Sequence, residues 1–523
     1  MRLPVPTARG LALQRDLRAL LGEASASCDP ADLWASSRDC WPRALLWTRA
    51  GIAPHPPDLV CWPANVEEVA RVVRYAAEHE VAVVPFGGGS GVCGGTVPVR
   101  GGIALDLKRL AGAPLLDLAA RTVEVEAGLN GQRLEELLNE SGATLGHFPA
   151  NLYSSTVGGW LATRSAGHSS SRYGKVEDLV LSLEAVDGTG QILRTVEGPS
   201  TGPDLTQLLV GSEGTLAVIT RAKLRCWPKP PAHWLRGVRF PSLEKGLKAL
   251  RLLQRAGLRP SVARLSDPID ALLAGRGLPG GSAESGALPL PLRFLVRAGQ
   301  RESVRFLLRA PLLLNGVAES LPSFPLCILG FEGARAVEAE EEGAAALRLC
   351  ARAGGVDLGP APGERWLTHR YQESHRAAPL FAAGAFVDTM EVATTWDRLL
   401  RLHAAVRNAV APHAFVFAHF SHSYLEGCSI DFTFLGLAGR AASADQDEAA
   451  LELEEAEARY DACWKAALSA AAAEGATLSH HHGIGMHKQI FLTREHGEGM
   501  RQLRALKRAF DPRGILNPGK LLL

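Results

Sequence analysis

The chain has 523 residues, a formal net charge of +1 at pH 7 and 46% hydrophobic residues. This length exceeds one typical hydrophobic core, so we predict two or three domains. The near-zero charge excludes the strong basic character expected of a protein that binds nucleic acid. Short, interrupted apolar runs and an N-terminus without a signal-peptide core indicate a cytoplasmic enzyme.

Nine cysteines without C-x-x-C spacing indicate reduced, buried thiols, and the abundance of Ala, Arg, Leu and Gly favours a bacterial source. Four regions are predicted along the chain. They are a helical extension at 1–55, a first domain at 56–228, a second domain at 229–474 and a C-terminal segment at 475–523 that returns to the first domain.

The first domain begins with a helix, a strand and a glycine loop. Residues 66–80 have helical periodicity, and the apolar run 81–85 predicts a short buried strand. Glycines follow at 87–89 without a helical pattern after them, so the loop is not a G-x-G-x-x-G element that opens a helix. Such a loop can direct backbone N–H groups at an anion, or it can be a flexible turn.

Two further glycine-containing elements follow, at 154–167 and 211–219. The first combines hydroxyls, small residues and one arginine, which suits the approach of backbone to a phosphate or a planar ring. It can equally be a helix N-terminus with Ser155 or Thr156 as the N-cap. Between the two elements, Asp187 and Gly188 separate two strand-like runs, 180–186 and 192–196, and predict a hairpin.

A proline-rich linker at 228–231 opens the second domain, which we predict to be α+β. Its strand-like runs lie within 238–265 and 386–434, and its helices at 243–256, 396–410 and 442–473. The Gly/Pro/Ser-rich stretch 276–291 is interpreted as a mobile loop over the active site or as an insertion without a role.

Residues 479–485 read Ser-His-His-His-Gly-Ile-Gly. Three consecutive imidazoles are costly to bury without a polar task, although a solvated loop or a tag remnant would also contain them. Zinc ligands are usually separated by several residues, so the run is weak evidence for a metal and none is predicted. Acid–base or anion-binding chemistry fits better, because imidazole titrates near neutrality.

The three glycine elements, in this order, together with Asp511-Pro-Arg-Gly-Ile-Leu-Asn-Pro-Gly-Lys520, resemble the vanillyl-alcohol-oxidase-type (PCMH-type) flavoproteins. The resemblance implies a two-subdomain FAD-binding domain with an α+β cap domain. FAD would be bound noncovalently, because Ser90 stands where covalent members carry a histidine. Cys93 is a second nucleophilic residue near this position. The implied cofactor-binding residues are Pro85, Phe86, Gly87, Gly88, Gly89, Ser90, Gly91, Ala150, Ser155, Thr156, Gly158, Gly159, Thr163, Arg164, Ser165, Ala166, Glu213, Gly214, Thr215, Leu216, Ala217, Val218 and Ile219.

Within these flavoproteins the chain is most similar to the alkyldihydroxyacetonephosphate synthases, also called alkylglycerone-phosphate synthases. Five landmarks carry the resemblance, at 146–149, 261–265, 376–398, 421–424 and 480–483. The resemblance implies catalytic roles for the following residues: Arg264, Arg376, Tyr424, His480, His481 and His482. Without the resemblance, Tyr424 would be read as a half-buried strand residue and both arginines as members of structural ion pairs.

The resemblance implies that acyl-dihydroxyacetone phosphate exchanges its acyl group for a long-chain fatty alcohol, through a flavin N5 adduct and without net oxidation. Tyr424 would be the general base, and the arginines would bind the phosphate and the departing carboxylate. It also implies lipid substrates with peripheral contact at the inner membrane, and we expect a homodimer.

Two alternatives stay open. The D-2-hydroxyacid dehydrogenases, such as the D-lactate and glycolate enzymes, share the glycine elements and the Asn-Pro-Gly-Lys ending. Their metal-binding carboxylate motif is replaced here by Ser421-His-Ser-Tyr424. A catalytically decayed flavin-binding scaffold is the other alternative, and the retained tyrosine, arginines and histidines argue against it.

Overall fold

The computed structural model describes residues 2–198, 201–273, 301–371, 373–438 and 446–523, without the side chains of 301–303, 373–377 and 446–449. It divides the chain into two compact units. The first unit comprises Met1–Gly167, Gly174–Lys229 and His481–Leu523, and the second comprises His168–Tyr173 and Pro230–His480. The chain thus leaves the first unit after 229 and returns after 480, where the sequence predicted 228 and 474. The N-terminal extension is part of the first unit, and the short segment His168–Tyr173 has no counterpart in the prediction.

The first unit contains two main sheets. The strands are β1 Ala26–Ser27, β2 Leu59–Cys61, β3 Val83–Phe86, β4 Ile103–Asp106, β5 Leu115–Asp117, β6 Thr122–Glu126, β7 Ala143–Thr144, β8 Val180–Asp187, β9 Ile192–Arg194, β10 Ala217–Arg225 and β11 Trp227–Pro228. One sheet has the order β1-β2-β4-β3 and the other β5-β6-β10-β8-β9, while β7 pairs with β11. The predicted hairpin is present, because β8 and β9 pair antiparallel with Val186 opposite Ile192.

The described helices of the first unit are Ala8–Leu21, Pro30–Ala35, Pro42–Arg49, Val66–Glu78, Gly131–Glu140, Val157–Thr163, Val176–Leu179, Leu205–Leu209, Leu492–His496 and Gly499–Phe510. Val66–Glu78 shows why the sequence folds in this way. Its buried residues include Val66, Val69 and Val73, which recur at helical spacing on one face. The Asn65 side chain caps the helix by accepting a hydrogen bond from the Glu68 N–H at 2.9 Å.

Strand β3 carries the glycine loop at its end and is paired on both edges. It runs parallel to β4, and on its other side the Val83 N–H donates to Ile515 O while the Asn517 N–H donates to Val83 O, each at 2.8 Å. Both faces of this strand are largely apolar and buried, as expected for a parallel strand inside a covered sheet. The C-terminal segment therefore takes part in building the strand that positions the loop.

The second unit is built on a sheet with the order β15-β12-β14-β13-β17-β18-β16. Its strands are β12 Ala232–Arg239, β13 Val262–Ser266, β14 Leu326–Gly333, β15 Val356–Asp357, β16 Ala385–Thr395, β17 Phe415–Phe420 and β18 Gly427–Leu437. All of these pairings are antiparallel. Strand β18 is buried along almost its whole length, so its polar residues Ser429 and Asp431 are buried together with Phe432.

The described helices of the second unit are Ser170–Tyr173, Leu243–Arg255, Pro268–Leu273, Arg301–Leu308, Pro311–Ser320, Ala336–Arg352, Ala361–His369, Glu373–Ala382, Leu399–Val410 and Gln446–Ala473. The helix predicted from Trp396 begins three residues later, because the Trp396 indole N–H donates to the carbonyls of Tyr424 and Leu425, each at 3.1 Å, and lies in the preceding turn. The glycine-rich stretch 276–291 lies outside the described residues.

The mixture of sheets and helices confirms the α+β class. None of the nine cysteines forms a disulfide, and every one except Cys40 is buried. Within the described ranges, no helix has both the length and the apolar character needed to cross a bilayer.

Candidate active site

The glycine loop after β3 lies against the second glycine element. A side chain on Gly88 would place its Cβ 1.9 Å from the carbonyl oxygen of Ser154, so only glycine permits this approach. Among the described residues, the backbone N–H groups of residues 88–91 have no hydrogen-bond acceptor. Four adjacent unpaired N–H groups form a site suited to an anion such as a pyrophosphate. The predicted FAD contacts of this loop therefore fit a dinucleotide.

Polar side chains of the second glycine element make hydrogen bonds around the glycine loop and the helix that follows. Thr156 caps the helix Val157–Thr163 by accepting from the Gly159 N–H at 3.4 Å, and the Trp160 indole N–H donates to Ser155 Oγ at 2.8 Å. The Asn151 amide donates to Ser90 Oγ at 3.0 Å. The residue at the covalent-attachment position is thus a hydrogen-bonded hydroxyl, which agrees with noncovalent binding of the cofactor.

Two predicted cofactor residues make protein contacts of their own. The Arg164 guanidinium donates to the Gln207 carbonyl at 2.7 Å. The Glu213 carboxylate accepts from the backbone N–H groups of Ile484 at 2.6 Å and Gly485 at 2.8 Å. Burial raises the pKa of Glu213 against the opposing effect of these two donors. Glu213 therefore anchors the turn that follows the histidine run.

A buried polar network from the C-terminal segment holds the loop around residues 95–97. The Asn517 amide donates to Gly95 O at 3.0 Å and Glu213 O at 2.7 Å, and Lys520 Nζ donates to Val97 O at 2.8 Å. Burial lowers the pKa of Lys520 to about 8 and raises that of Asp39 to about 6. Asn517 and Lys520 belong to the ending that carried the family resemblance, but no structural role was predicted for them.

His147 is a buried histidine beside the second element. Its ring lies edge-on against Trp160, with centroids 4.7 Å apart, and neither ring nitrogen has a hydrogen-bond partner in the described part of the chain. Burial lowers the pKa of His147 to about 3. The ring is therefore neutral at physiological pH.

We expect His147→Phe to reduce the acid sensitivity of the fold. Below its ordinary pKa, the His147 side chain gains a proton in the unfolded chain but stays neutral in the folded protein. The free energy of unfolding therefore decreases as the pH is lowered. Between about pH 6.5 and about pH 4.5 this loss is about 2 kcal/mol. Urea unfolding at both pH values checks the prediction. Equal losses in the wild type and the variant would contradict it.

Tyr424 lies in the second unit, in the turn between β17 and β18. Its phenol oxygen is 3.2 Å from Ser170 Oγ, which in turn is 2.8 Å from Nδ1 of His422. The His480 ring stacks on His422 with centroids 5.3 Å apart and lies 5.6 Å from the Tyr424 ring. The structure thus brings predicted Tyr424 and His480 together with Ser170 and His422, to which the sequence assigned no role.

Glu391 positions His480. This fully buried carboxylate accepts hydrogen bonds from the Ser479 hydroxyl and from the His480 backbone N–H.

The histidine run divides between the units after His480. His481 and His482 belong to the first unit, where their rings pack edge-on with centroids 4.5 Å apart.

Arg264 on β13 lies in a second cluster of the second unit. Burial, together with the positive charges of Arg370 and Arg264, lowers the pKa of His168 to about 3. The Arg370 guanidinium lies over the rings of Trp366, at 5.8 Å, and Tyr371, at 4.8 Å. Arg264 also lies 3.8 Å from the Asp270 carboxylate.

Two arginines near a neutral imidazole suit a phosphate or carboxylate, and one of them, Arg264, already lies against the Asp270 carboxylate. The sequence predicted Arg376 as the second arginine, and its side chain lies outside the described residues. Arg370, which was not predicted, lies in this cluster.

Comparisons with known proteins agree with this description. The family model of the FAD binding domain matches residues 57–196, and that of the FAD linked oxidases, C-terminal domain, matches 229–521, more than half of the chain. The chain is 29% identical to alkyldihydroxyacetonephosphate synthase of Dictyostelium discoideum over 92% of its length and 76% of that protein. It is 28% identical to D-lactate dehydrogenase of Archaeoglobus fulgidus over 89% of its length and 91% of that protein.

A solved structure of alkyldihydroxyacetonephosphate synthase matches with a TM-score of 0.73 and 25% identity, over 99% of this chain and 86% of that one. The predicted resemblance, the two-domain FAD-binding fold and FAD as the cofactor of an enzyme are thereby confirmed.

Proposed function

Because the chain belongs to the FAD-linked oxidase family, we propose that it is an ether-lipid synthase of the alkyldihydroxyacetonephosphate synthase type. It replaces the acyl group of 1-acyl-dihydroxyacetone phosphate with a long-chain fatty alcohol, without net oxidation. The observation that carries the proposal is the phenol of Tyr424, hydrogen-bonded to Ser170 in a segment that lacks the metal-binding carboxylate of the hydroxyacid dehydrogenase motif.

Tyr424 is proposed as the general base. The carbon that bears the acyl oxygen is next to a ketone, and a proton must leave it and return during the exchange. An unperturbed phenol has a pKa of about 10, which makes it a poor base at neutral pH. Protonation of His422 or His480 would favour the phenolate by Coulomb attraction, because both rings lie close to it.

Arg264, Arg370 and His168 are proposed to hold the substrate phosphate. Guanidinium groups bind phosphate through paired, charge-assisted hydrogen bonds, and the stacking of Arg370 on Trp366 and Tyr371 fixes its plane. The neutral His168 ring adds a hydrogen-bonding group without a further charge. This cluster would orient the three-carbon substrate by its charged end.

The N–H array of residues 88–91 is proposed to hold the FAD pyrophosphate, without a covalent bond to Ser90. When bound, FAD supplies the reactive ring nitrogen for the exchange. The residues of this chain then bind the phosphate, move the proton and exclude water.

We expect Arg370→Leu to raise the KM for acyl-dihydroxyacetone phosphate by about 10-fold to 100-fold, since one charged hydrogen bond contributes about 1.5–3 kcal/mol. The effect on kcat should be smaller, because the phosphate does not react. Steady-state kinetics measure both constants. Arg348→Leu, which removes an exposed arginine of the same unit, is the control, and an equal KM in both variants would argue against a phosphate site at Arg370.

The proposed function is tested by incubating the protein without oxygen with palmitoyl-dihydroxyacetone phosphate and labelled hexadecanol. A parallel assay offers D-lactate, D-2-hydroxyglutarate and glycolate with a dye acceptor, because the D-lactate dehydrogenase relative favours this second function. Labelled ether without dye reduction supports the synthase. Dye reduction without ether would replace the proposal with a hydroxyacid dehydrogenase.

Lipid substrates suggest peripheral contact with a membrane, which sedimentation with anionic vesicles would detect. A cytoplasmic homodimer also stays a prediction. Light scattering of the purified protein measures its mass and so tests whether it is a dimer.

A further inference from the structure

We propose that Ser170 is a positioning residue that carries a proton between Tyr424 and His422. The inference rests on the proposed function, in which Tyr424 is the base. Ser170 Oγ is the shared hydrogen-bond partner of the phenol oxygen, at 3.2 Å, and of His422 Nδ1, at 2.8 Å. Its side chain is buried. A single hydroxyl therefore links the two titratable groups.

The segment that carries Ser170 is held firmly within the second unit. The Tyr173 hydroxyl donates a hydrogen bond to the Glu332 carboxylate at 2.7 Å, and the Arg172 guanidinium donates one to Arg259 O at 3.3 Å. Ser171 Oγ accepts from the Ser423 N–H at 3.2 Å, which ties the segment directly to the turn that contains Tyr424. The contacts of Tyr173 and Arg172 hold the segment in place without the Ser171 bond.

A hydroxyl is suited to this task because it donates one hydrogen bond and accepts two. When Tyr424 becomes a base, the phenol O–H bond breaks and its proton binds Ser170 Oγ. The hydroxyl proton of Ser170 moves at the same time to His422 Nδ1. The products are a phenolate and an imidazolium, so total charge and proton number are unchanged, and their attraction stabilises the pair.

Two further groups face this pair within the second unit. His480 stacks on His422 and is itself oriented by Glu391 through its backbone N–H. A positive charge on either imidazole favours the phenolate, but His422 is the ring that the Ser170 hydroxyl contacts. The inference therefore assigns the proton to His422.

The experiment compares Ser170→Ala and Ser170→Cys with Ser170→Thr, which keeps the hydroxyl. Ser171→Ala is the matched control, because it loses a bond to the same turn but leaves the hydroxyl chain intact. The phenol pKa of Tyr424 is measured from phenolate absorbance against the Tyr424→Phe counterpart of each protein. Ser170→Ala and Ser170→Cys should raise this pKa by about one unit or more, since they remove a hydrogen bond to the phenolate. Ser170→Thr and Ser171→Ala should leave it within a few tenths of the wild type.

The kinetic expectation is a fall in kcat of about 10-fold or more in the two variants without the hydroxyl, with KM nearly unchanged and recovery in Ser170→Thr. An unchanged phenol pKa in both, or an equal pKa rise in Ser171→Ala, would overturn the inference. The pKa measurement needs no substrate. If the protein reduces the dye and makes no ether, the proposed function fails while the role of Ser170 is still judged by the titration.

Discussion

Tyr424→Phe is expected to lower ether formation by about 10²-fold to 10⁴-fold, the usual contribution of a general base. The substitution removes the phenol oxygen, which contacts Ser170, and keeps the ring that packs against His480. FAD content should stay at the wild-type level, because the predicted FAD contacts lie in the first unit. Single-turnover formation of labelled ether and the flavin absorbance of the purified variant measure the two effects.

Tyr75→Phe is the control for this experiment. It also removes a phenol oxygen, which hydrogen-bonds to the Asp16 carboxylate at 2.8 Å in the helical N-terminal region. We expect it to retain full turnover. Retention of more than about a tenth of wild-type activity by Tyr424→Phe would exclude this residue as the base.

Gly88→Ala is expected to yield a protein that contains at most about a tenth of the wild-type FAD. The new Cβ would lie 1.9 Å from the Ser154 carbonyl oxygen, and because the opposing atom is backbone, no side-chain rotation relieves the clash. The loop must move, and the N–H groups of residues 88–91, which have no acceptor among the described residues, move with it. The ratio of flavin to protein absorbance measures the loss.

Gly316→Ala is the matched control, because a Cβ on this glycine of the helix Pro311–Ser320 would meet nothing within 4 Å. We expect it to keep FAD and to gain about 0.5–1 kcal/mol of stability, since alanine is the better helix former. A Gly88→Ala protein that keeps its FAD and its melting temperature would show that the loop does not hold the cofactor as described.

The parts of the fold that the sequence predicts are those in which local chemistry decides the structure. Glycine is required where two backbones touch, as at Gly88, and an apolar run such as Val83–Phe86 marks a buried strand. The alternative interpretation of the second glycine element, a helix N-terminus capped by Ser155 or Thr156, is present with Thr156 as the cap, because a hydroxyl before a helix satisfies N–H groups of its first turn. Each of these signals lies within a few residues of the structure that it predicts.

The contacts that the sequence does not predict join distant residues. Ser170 meets Tyr424 across 254 positions, and Glu391 meets the His480 N–H across 89. The inclusion of His168–Tyr173 in the second unit leaves no mark in the local pattern, because its serines are equally compatible with a loop. Arg370 was not predicted for the same reason, since its proposed role depends on the neighbouring rings and on His168.

The closure of the glycine elements by the C-terminal segment has a consequence for biosynthesis. Gly95 and Val97 are held by Asn517 and Lys520, more than 400 positions later, and β3 is paired by the segment around Ile515. None of these contacts can form until the segment that contains these C-terminal residues has left the ribosome. The first unit therefore stays without them while the second unit is synthesised, and the surface that they cover is exposed to aggregation during that time.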